Sequence, residues 1–279
     1  MKKPNSSFTI IAGPCSVESQ AQLLDVSSAV IASGSSALRG GIFKMRTSPN
    51  AFQGFQKECL PWINAVKKQT GLNIVSEITD PRQVSLLQEA VDIFQVGSRN
   101  MYNYELLKEL SFINKPIILK RGFSATVKEW IKAAEYLQSA GNPHVILCER
   151  GIRTFETSTR NTIDLNSVAY LKANTDFTVF VDPSHGTGVR NLVKPLSLAA
   201  IAAGADGLLI EVHPQPEQAL SDGHQSLNCQ DFLSLVSDAK KLLTLFNKTL
   251  NNSMQFSQKY DISSLTKKLN AHSEPSLSV

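Results

Sequence analysis

Short runs of apolar, β-branched residues recur along the chain, each closed by a cluster of Gly, Pro, Ser or charged side chains. These runs predict eight strands: Phe8–Ala12, Ala37–Arg39, Ile74–Glu77, Ile93–Val96, Pro116–Lys120, Val145–Glu149, Thr178–Val181 and Gly207–Glu211. Between them apolar positions fall at helical spacing, as over Ala21–Ala32, Val127–Ser139 and Leu192–Ala203. Continuous apolar strands alternating with amphipathic helices predict a parallel sheet with both faces covered. Eight such units over about 240 residues match a closed (β/α)8 TIM barrel. An open doubly wound sheet is the alternative, but Gly13-Pro14-Cys15-Ser16 follows the first strand where a Gly-rich dinucleotide loop would stand. The pattern fades at Thr249. We therefore expect a catalytic barrel over residues 1–248 and a polar, Ser-rich tail over 249–279, disordered or loosely docked.

Composition narrows this picture. The 279 residues are 42% hydrophobic and 19% charged, with a formal net charge of +4. No helix or stripe gathers the basic residues, which argues against a nucleic-acid partner. The four cysteines are far apart and lack zinc-knuckle spacing, so reduced thiols are expected. The run Phe8–Ala12 is too short for a signal h-region, and no stretch approaches a membrane span. A cytoplasmic protein with no membrane partner is the expectation.

In a barrel of this type the chemistry lies where strands pass into the following loops. Those positions hold Cys15, then Arg39, Lys44 and Arg46, then Glu77, Arg99, Lys120, Arg121, Arg150, Asp182, His185 and Glu211, with Asp222 in the last loop. So many charges beside apolar strands are costly unless they meet a ligand or each other. Arg39, Lys44, Arg99, Lys120 and Arg150 are cations that suit a phosphate and a carboxylate. Cys15, His185, Glu211 and Asp222 are one thiol, one imidazole and two carboxylates, a set that could hold a divalent ion: Mn, Fe, Co, Zn or Cu. No short-range spacing links them, however, and Cys15 taken alone reads as an inert core thiol. His213 and His224 compete as ligands by type, and His213 shares the strand face of Glu211. The tryptophans and phenylalanines read as packing residues without a ligand role.

The segments IAGPCSVES, LRGGIFKMRTSPNAFQG, QVGSRNMYN, PIILKRG, VILCERGIRTFE, VDPSHGTG and IEVHPQPEQALSDGHQSL run from about Ile10 to Asn228. Together they resemble the 3-deoxy-D-arabino-heptulosonate 7-phosphate (DAHP) synthases. Within that family the likeness is to the short type I subgroup, related to the 3-deoxy-octulosonate 8-phosphate synthases. The resemblance implies a metal-dependent transferase of the shikimate pathway, which leads to aromatic amino acids. Such an enzyme condenses phosphoenolpyruvate with erythrose 4-phosphate and water. It implies Cys15, His185, Glu211 and Asp222 as metal ligands, with Arg39, Lys44, Arg99, Lys120 and Arg150 on phosphoenolpyruvate. Arg46, Thr47, Ser184 and Arg190 would then meet the aldose phosphate, and Lys44, Glu77, Lys120, Asp182 and His185 would do the catalytic work. A homo-oligomer, dimer or tetramer, is implied as well.

Two positions depart from the pattern. Met45 stands where the family has proline in a Lys-Pro-Arg-Thr stretch, and Gly188-Val189-Arg190 replaces Gly-Arg-Arg. Met45 keeps arabinose 5-phosphate open as the aldose, and a catalytically silent metabolite-binding barrel is the second alternative. A first strand at about Phe8 leaves no room for the N-terminal regulatory domain of many relatives, so feedback inhibition by that route is not expected.

Overall fold

The computed structural model describes residues 7–142 and 144–252. Eight strands carry the fold: β1 (Ser7–Gly13), β2 (Ala37–Arg39), β3 (Asn73–Ile78), β4 (Ile93–Val96), β5 (Ile117–Lys120), β6 (Val145–Glu149), β7 (Thr178–Val181) and β8 (Gly207–Glu211). All pair in parallel with their sequence neighbours, and β8 returns to β1 in the register Ile11 to Leu209 and Gly13 to Glu211. The sheet is therefore closed, and the open-sheet alternative falls. Each predicted strand is present, its ends displaced by no more than one residue.

Helices cover the outside: α1 (Gln20–Ser33), α2 (Leu60–Thr70), α3 (Val84–Leu87), α4 (Tyr104–Ser111), α5 (Val127–Gln138), α6 (Leu165–Asn174), α7 (Pro183–Thr187), α8 (Arg190–Ala202) and α9 (Cys229–Leu245). Local chemistry sets several of their starts. Ser19 caps α1 through the amide of Gln22, and Thr126 with Glu129 forms a reciprocal capping box on α5. Among the described residues no helix is long and apolar enough to cross a membrane.

Strand alternation sorts the side chains into two cores. One face packs outward under the helices around Phe8, Ile10, Leu147 and Trp130. The other fills the barrel with Ile11, Ala37, Val75, Ile93, Ile118, Ile146, Cys148, Phe180 and Leu209. Two residues further along the strands, the same inward face carries Gly13, Arg39, Glu77, Gln95, Lys120, Arg150, Asp182 and Glu211. The interior is thus apolar below and polar at its carboxyl end.

The chain does not leave the barrel at residue 248. A two-residue strand β9 (Thr249–Leu250) pairs with Ser7 and Phe8 of β1, and the Asn251 amide donates to the Phe8 carbonyl at 2.7 Å. The first residues of the predicted tail are therefore docked at the amino end of β1. The remainder of that tail, from residue 253, lies outside the described residues.

Candidate active site

Four donors converge at the carboxyl end of the barrel. One ligand atom each from Cys15, His185, Glu211 and Asp222 can be chosen so that all lie within 4.8 Å of one another. Cys15 follows β1, Glu211 ends β8, and the β1–β8 register sets these two strands side by side. His185 sits in α7, whose first turn is fixed by Asp182: its carboxylate accepts from the His185 amide at 2.9 Å. The second oxygen of Asp182 lies 2.8 Å from His185 Nδ1, which leaves Nε2 facing Glu211 Oε1 at 3.3 Å. Asp222 has a left-handed backbone (φ 53°), and its Oδ2 accepts from the Cys15 thiol at 3.3 Å.

The cluster has the signs of a cation cradle. Glu211 Oε1 is buried and accepts no hydrogen bond, although Arg39 Nη2 stands 3.2 Å away. Burial, with Glu211 adding to it, pushes the Cys15 thiol up to about 12. Burial also pulls His185 down, which favours the neutral imidazole a metal needs. A neutral ring oriented by a carboxylate, two carboxylates and a thiol suit a divalent ion. His213 is not part of this group: its Nε2 lies 3.3 Å from Glu18, and its Nδ1 accepts from the Gln215 amide. His224 is exposed on the far side of the last loop, in a separate groove with Glu217 and Lys194.

Beside the cluster opens a cavity of about 230 Å³, lined by Lys44, Arg46, Arg99, Lys120, Arg150 and Arg160 against only Glu77 and Asp222 as carboxylates. Its cations form two tiers. Lys44, Lys120 and Arg150 are buried on the floor, while Arg99 and Arg160 are exposed at the mouth with Arg46 half-buried beside them. On the floor, Lys44 Nζ donates to Glu77 at 3.2 Å and Lys120 Nζ to Asp182 at 2.6 Å. Burial opposes charge on Lys44, yet Cys15 and Glu77 outweigh it and hold the ammonium above its ordinary range. Burial likewise opposes the Asp182 carboxylate, but His185 and Lys120 keep it well below the usual carboxylate range. Nη1 of both Arg39 and Arg150 is buried with no hydrogen-bond partner, so cationic donors stand ready where no protein acceptor meets them. Burial, opposed by Asp182 and reinforced by the nearby cations Arg160 and Arg99, draws Arg150 down to about 10.

The structure sorts the predicted residues. Arg46 and Thr47 line the cavity, and Arg99 Nη2 donates to Thr47 Oγ1 across its mouth at 3.1 Å. Arg39 lies behind the lining, against Glu211. Ser184 is fully buried and accepts from the Glu211 amide, so it sets that strand end and does not reach the cavity. Arg190 turns the other way: Nη1 donates to Glu217 at 2.6 Å and Nη2 to the Gly223 carbonyl at 2.8 Å. Arg121, one residue past Lys120, faces outward by strand alternation and is sequestered with Glu149 and Asp164.

Two lining residues escape a strand-end reading, because both lie in loops. Phe123, expected to be packing only, lines the cavity, and its ring is flanked by the guanidiniums of Arg150, Arg153 and Arg99 at 4.7, 4.8 and 5.5 Å. Arg160 comes from the loop between β6 and α6. No periodicity in the sequence marks either one.

A closed parallel barrel whose carboxyl rim gathers six cations around a four-donor S/N/O cluster is an enzyme barrel built for small polyanions. A model of the DAHP synthetase I family matches residues 3–246. The chain belongs to that family. It is 45% identical over 251 residues to phospho-2-dehydro-3-deoxyheptonate aldolase of Thermotoga maritima, covering 90% of this chain and 74% of the relative. The 2-dehydro-3-deoxyphosphooctonate aldolase of Syntrophotalea carbinolica is 34% identical over 241 residues, covering 80% and 86%. Among solved structures, the Thermotoga maritima DAHP synthase superposes with a TM-score of 0.86, covering 88% of this chain and 72% of that one. A truncated form of the Thermotoga maritima 3-deoxy-D-arabino-heptulosonate 7-phosphate synthase, 42% identical, superposes at 0.82 and covers 88% and 90%.

Proposed function

We propose that the chain joins phosphoenolpyruvate to erythrose 4-phosphate with addition of water. The products are 3-deoxy-D-arabino-heptulosonate 7-phosphate and inorganic phosphate, in the first step of the shikimate pathway. The observation that carries this reading is the pairing of a two-tier cationic cavity with the four-donor cluster at one rim. The higher identity to the heptonate enzyme, 45% against 34%, favours the four-carbon aldose.

Cys15, His185, Glu211 and Asp222 would hold a divalent cation. When bound, it supplies a Lewis acid beside the aldehyde oxygen. Arg99, Lys120 and Arg150, with Arg39 behind them, take the phosphate and carboxylate of phosphoenolpyruvate. Their charge is fixed before substrate arrives, so little reorganisation is needed as charge develops. Arg46 and Thr47 take the aldose phosphate. Asp182 orients His185 and Lys120 together, since its carboxylate contacts both.

The proton balance uses the pair on the floor. C3 of phosphoenolpyruvate attacks the aldehyde carbon, forming the new C–C bond and leaving an alkoxide. Water adds at C2, and Glu77 takes its proton. Lys44 gives a proton to the alkoxide and is recharged by Glu77, 3.2 Å away. The resulting hemiketal expels phosphate, whose oxygen leaves with the C2–O electron pair and takes up the hydroxyl proton. The sugar oxygens remain on the product throughout.

The test is phosphate release by the purified protein with Mn²⁺. Release is expected only when phosphoenolpyruvate and erythrose 4-phosphate are both present and the ion is not chelated. Release from phosphoenolpyruvate alone, or none under any of these conditions, would overturn the reading.

A further inference from the structure

The two tiers of the cavity pose a charge-balance question. On the proposed reading, the site takes two phosphates and one carboxylate. Lys44 and Lys120 already face carboxylates of the protein, and Arg46 Nη1 lies 3.6 Å from Asp222. Among the described residues, Arg99, Arg150 and Arg160 face the cavity without a carboxylate partner. Phosphoenolpyruvate, held on the floor, accounts for Arg150 and its neighbour Arg99. Arg160 is left over at the mouth. The phosphate of a four-carbon aldose lies at the far end of the chain from its reacting carbon, so an aldehyde on the floor sends that phosphate outward to the mouth. The position expected to supply this cation, Arg190, is committed to Glu217 and Gly223 on the other side of the loop.

Arg160 is also held in place. Gly188 has a left-handed backbone (φ 66°), and a Cβ there would lie 2.6 Å from the Arg160 Cβ and 3.1 Å from its Cδ. The glycine thus makes room for the arginine stem. The Arg160 amide donates to the Thr187 carbonyl at 2.9 Å, and the Asn161 amide to the Gly186 carbonyl at 3.1 Å. Nη1 donates to Gln225 Oε1 at 2.9 Å, and Gln225 in turn donates to Glu211 Oε2 at 2.5 Å. Only one guanidinium nitrogen has a protein acceptor among the described residues. The remaining donors of the planar fork suit a phosphate in bidentate fashion.

We infer that Arg160 is a substrate-binding residue that takes the terminal phosphate of the aldose at the cavity mouth, together with Arg46 and Thr47. The inference rests on the condensation reading above, and two arms keep the two failures apart. Arg160→Met keeps the stem against Gly188 and removes the charge; Arg160→Lys keeps a point charge. In the turnover arm, Arg160→Met is expected to raise KM for erythrose 4-phosphate roughly 10- to 100-fold, as loss of a charge-assisted pair does, with KM for phosphoenolpyruvate changed less than about 2-fold. Arg160→Lys should recover part of that loss. In the binding arm, calorimetry with glycerol 3-phosphate on the Mn²⁺- and phosphoenolpyruvate-loaded protein should show the same weakening, and Mn²⁺ affinity should be unchanged. An unaltered glycerol 3-phosphate affinity, or equal weakening of phosphoenolpyruvate or Mn²⁺, would overturn the assignment. If the wild-type protein fails to turn over, the condensation reading falls, while the binding arm still decides the role of Arg160.

Discussion

A methyl group on Gly97 would lie 2.1 Å from Glu77 Oε1, so the absence of a side chain there is what lets Glu77 stand at the cavity floor beside Lys44. Gly97→Ala is expected to displace that carboxylate and lower kcat by at least 10-fold. The cost in stability should be about 1–3 kcal/mol, the range for overpacking a filled site. Stopped-time phosphate assays with a parallel urea melt would check it, and an unchanged kcat would remove Glu77 from the proposed proton path. Cys15→Ala should abolish tight Mn²⁺ binding in equilibrium dialysis while the far-ultraviolet spectrum stays that of the folded barrel. At this scale the sequence was legible wherever period two applied. Arg39, Glu77, Lys120, Asp182 and Glu211 each lie two residues beyond an inward apolar position on the same strand. Arg121 shows the limit of reading strand ends without their parity, since one step further along turned it outward to Glu149.

At the scale of elements, the strands were legible because each is a closed run of apolar residues with a sharp polar stop. The α5 helix was legible too: Thr126 and Glu129 stand at the spacing of a capping box, and both hydrogen bonds form. Thr126→Ala should cost about 1 kcal/mol in chemical denaturation and leave both substrate KM values unaltered, because α5 lies outside the barrel. Short elements were harder. The five residues of α7 carry too little periodicity to predict, and they hold together through Asp182 as cap and Pro183 in the first turn. Thr249–Leu250 read as polar tail, yet they pair with β1, where the partner strand and not their own pattern supplies the order. Phe123 and Arg160 sit in loops whose course is set by what they pack against, and a linear sequence does not display that.

For the molecule as a whole, closure of the barrel turns four sequence-distant donors into one cluster. Positions 15, 185, 211 and 222 meet because β8 returns to β1 and the neighbouring loops fold over that seam. Binding there should therefore stabilise the entire fold. At a free Mn²⁺ concentration 100 times its Kd, the gain is about 2.7 kcal/mol, seen as a rise in Tm that chelation reverses and that Cys15→Ala lacks. An equal rise in the variant would place the ion elsewhere. The cavity's excess of cations also predicts that both substrate KM values increase with ionic strength, through the steering of anions towards a positive mouth.

The identity of the aldose remains the sharpest point of contact between this architecture and its chemistry, because Met45 lines the cavity where the family pattern has proline. One competition measurement addresses it: wild-type protein with Mn²⁺, limiting phosphoenolpyruvate, and equal excess concentrations of erythrose 4-phosphate and arabinose 5-phosphate, with products separated by mass. We predict that the seven-carbon 3-deoxy sugar phosphate dominates at least 10-fold. A predominance of the eight-carbon product, or consumption of phosphoenolpyruvate with neither product formed, would contradict the account.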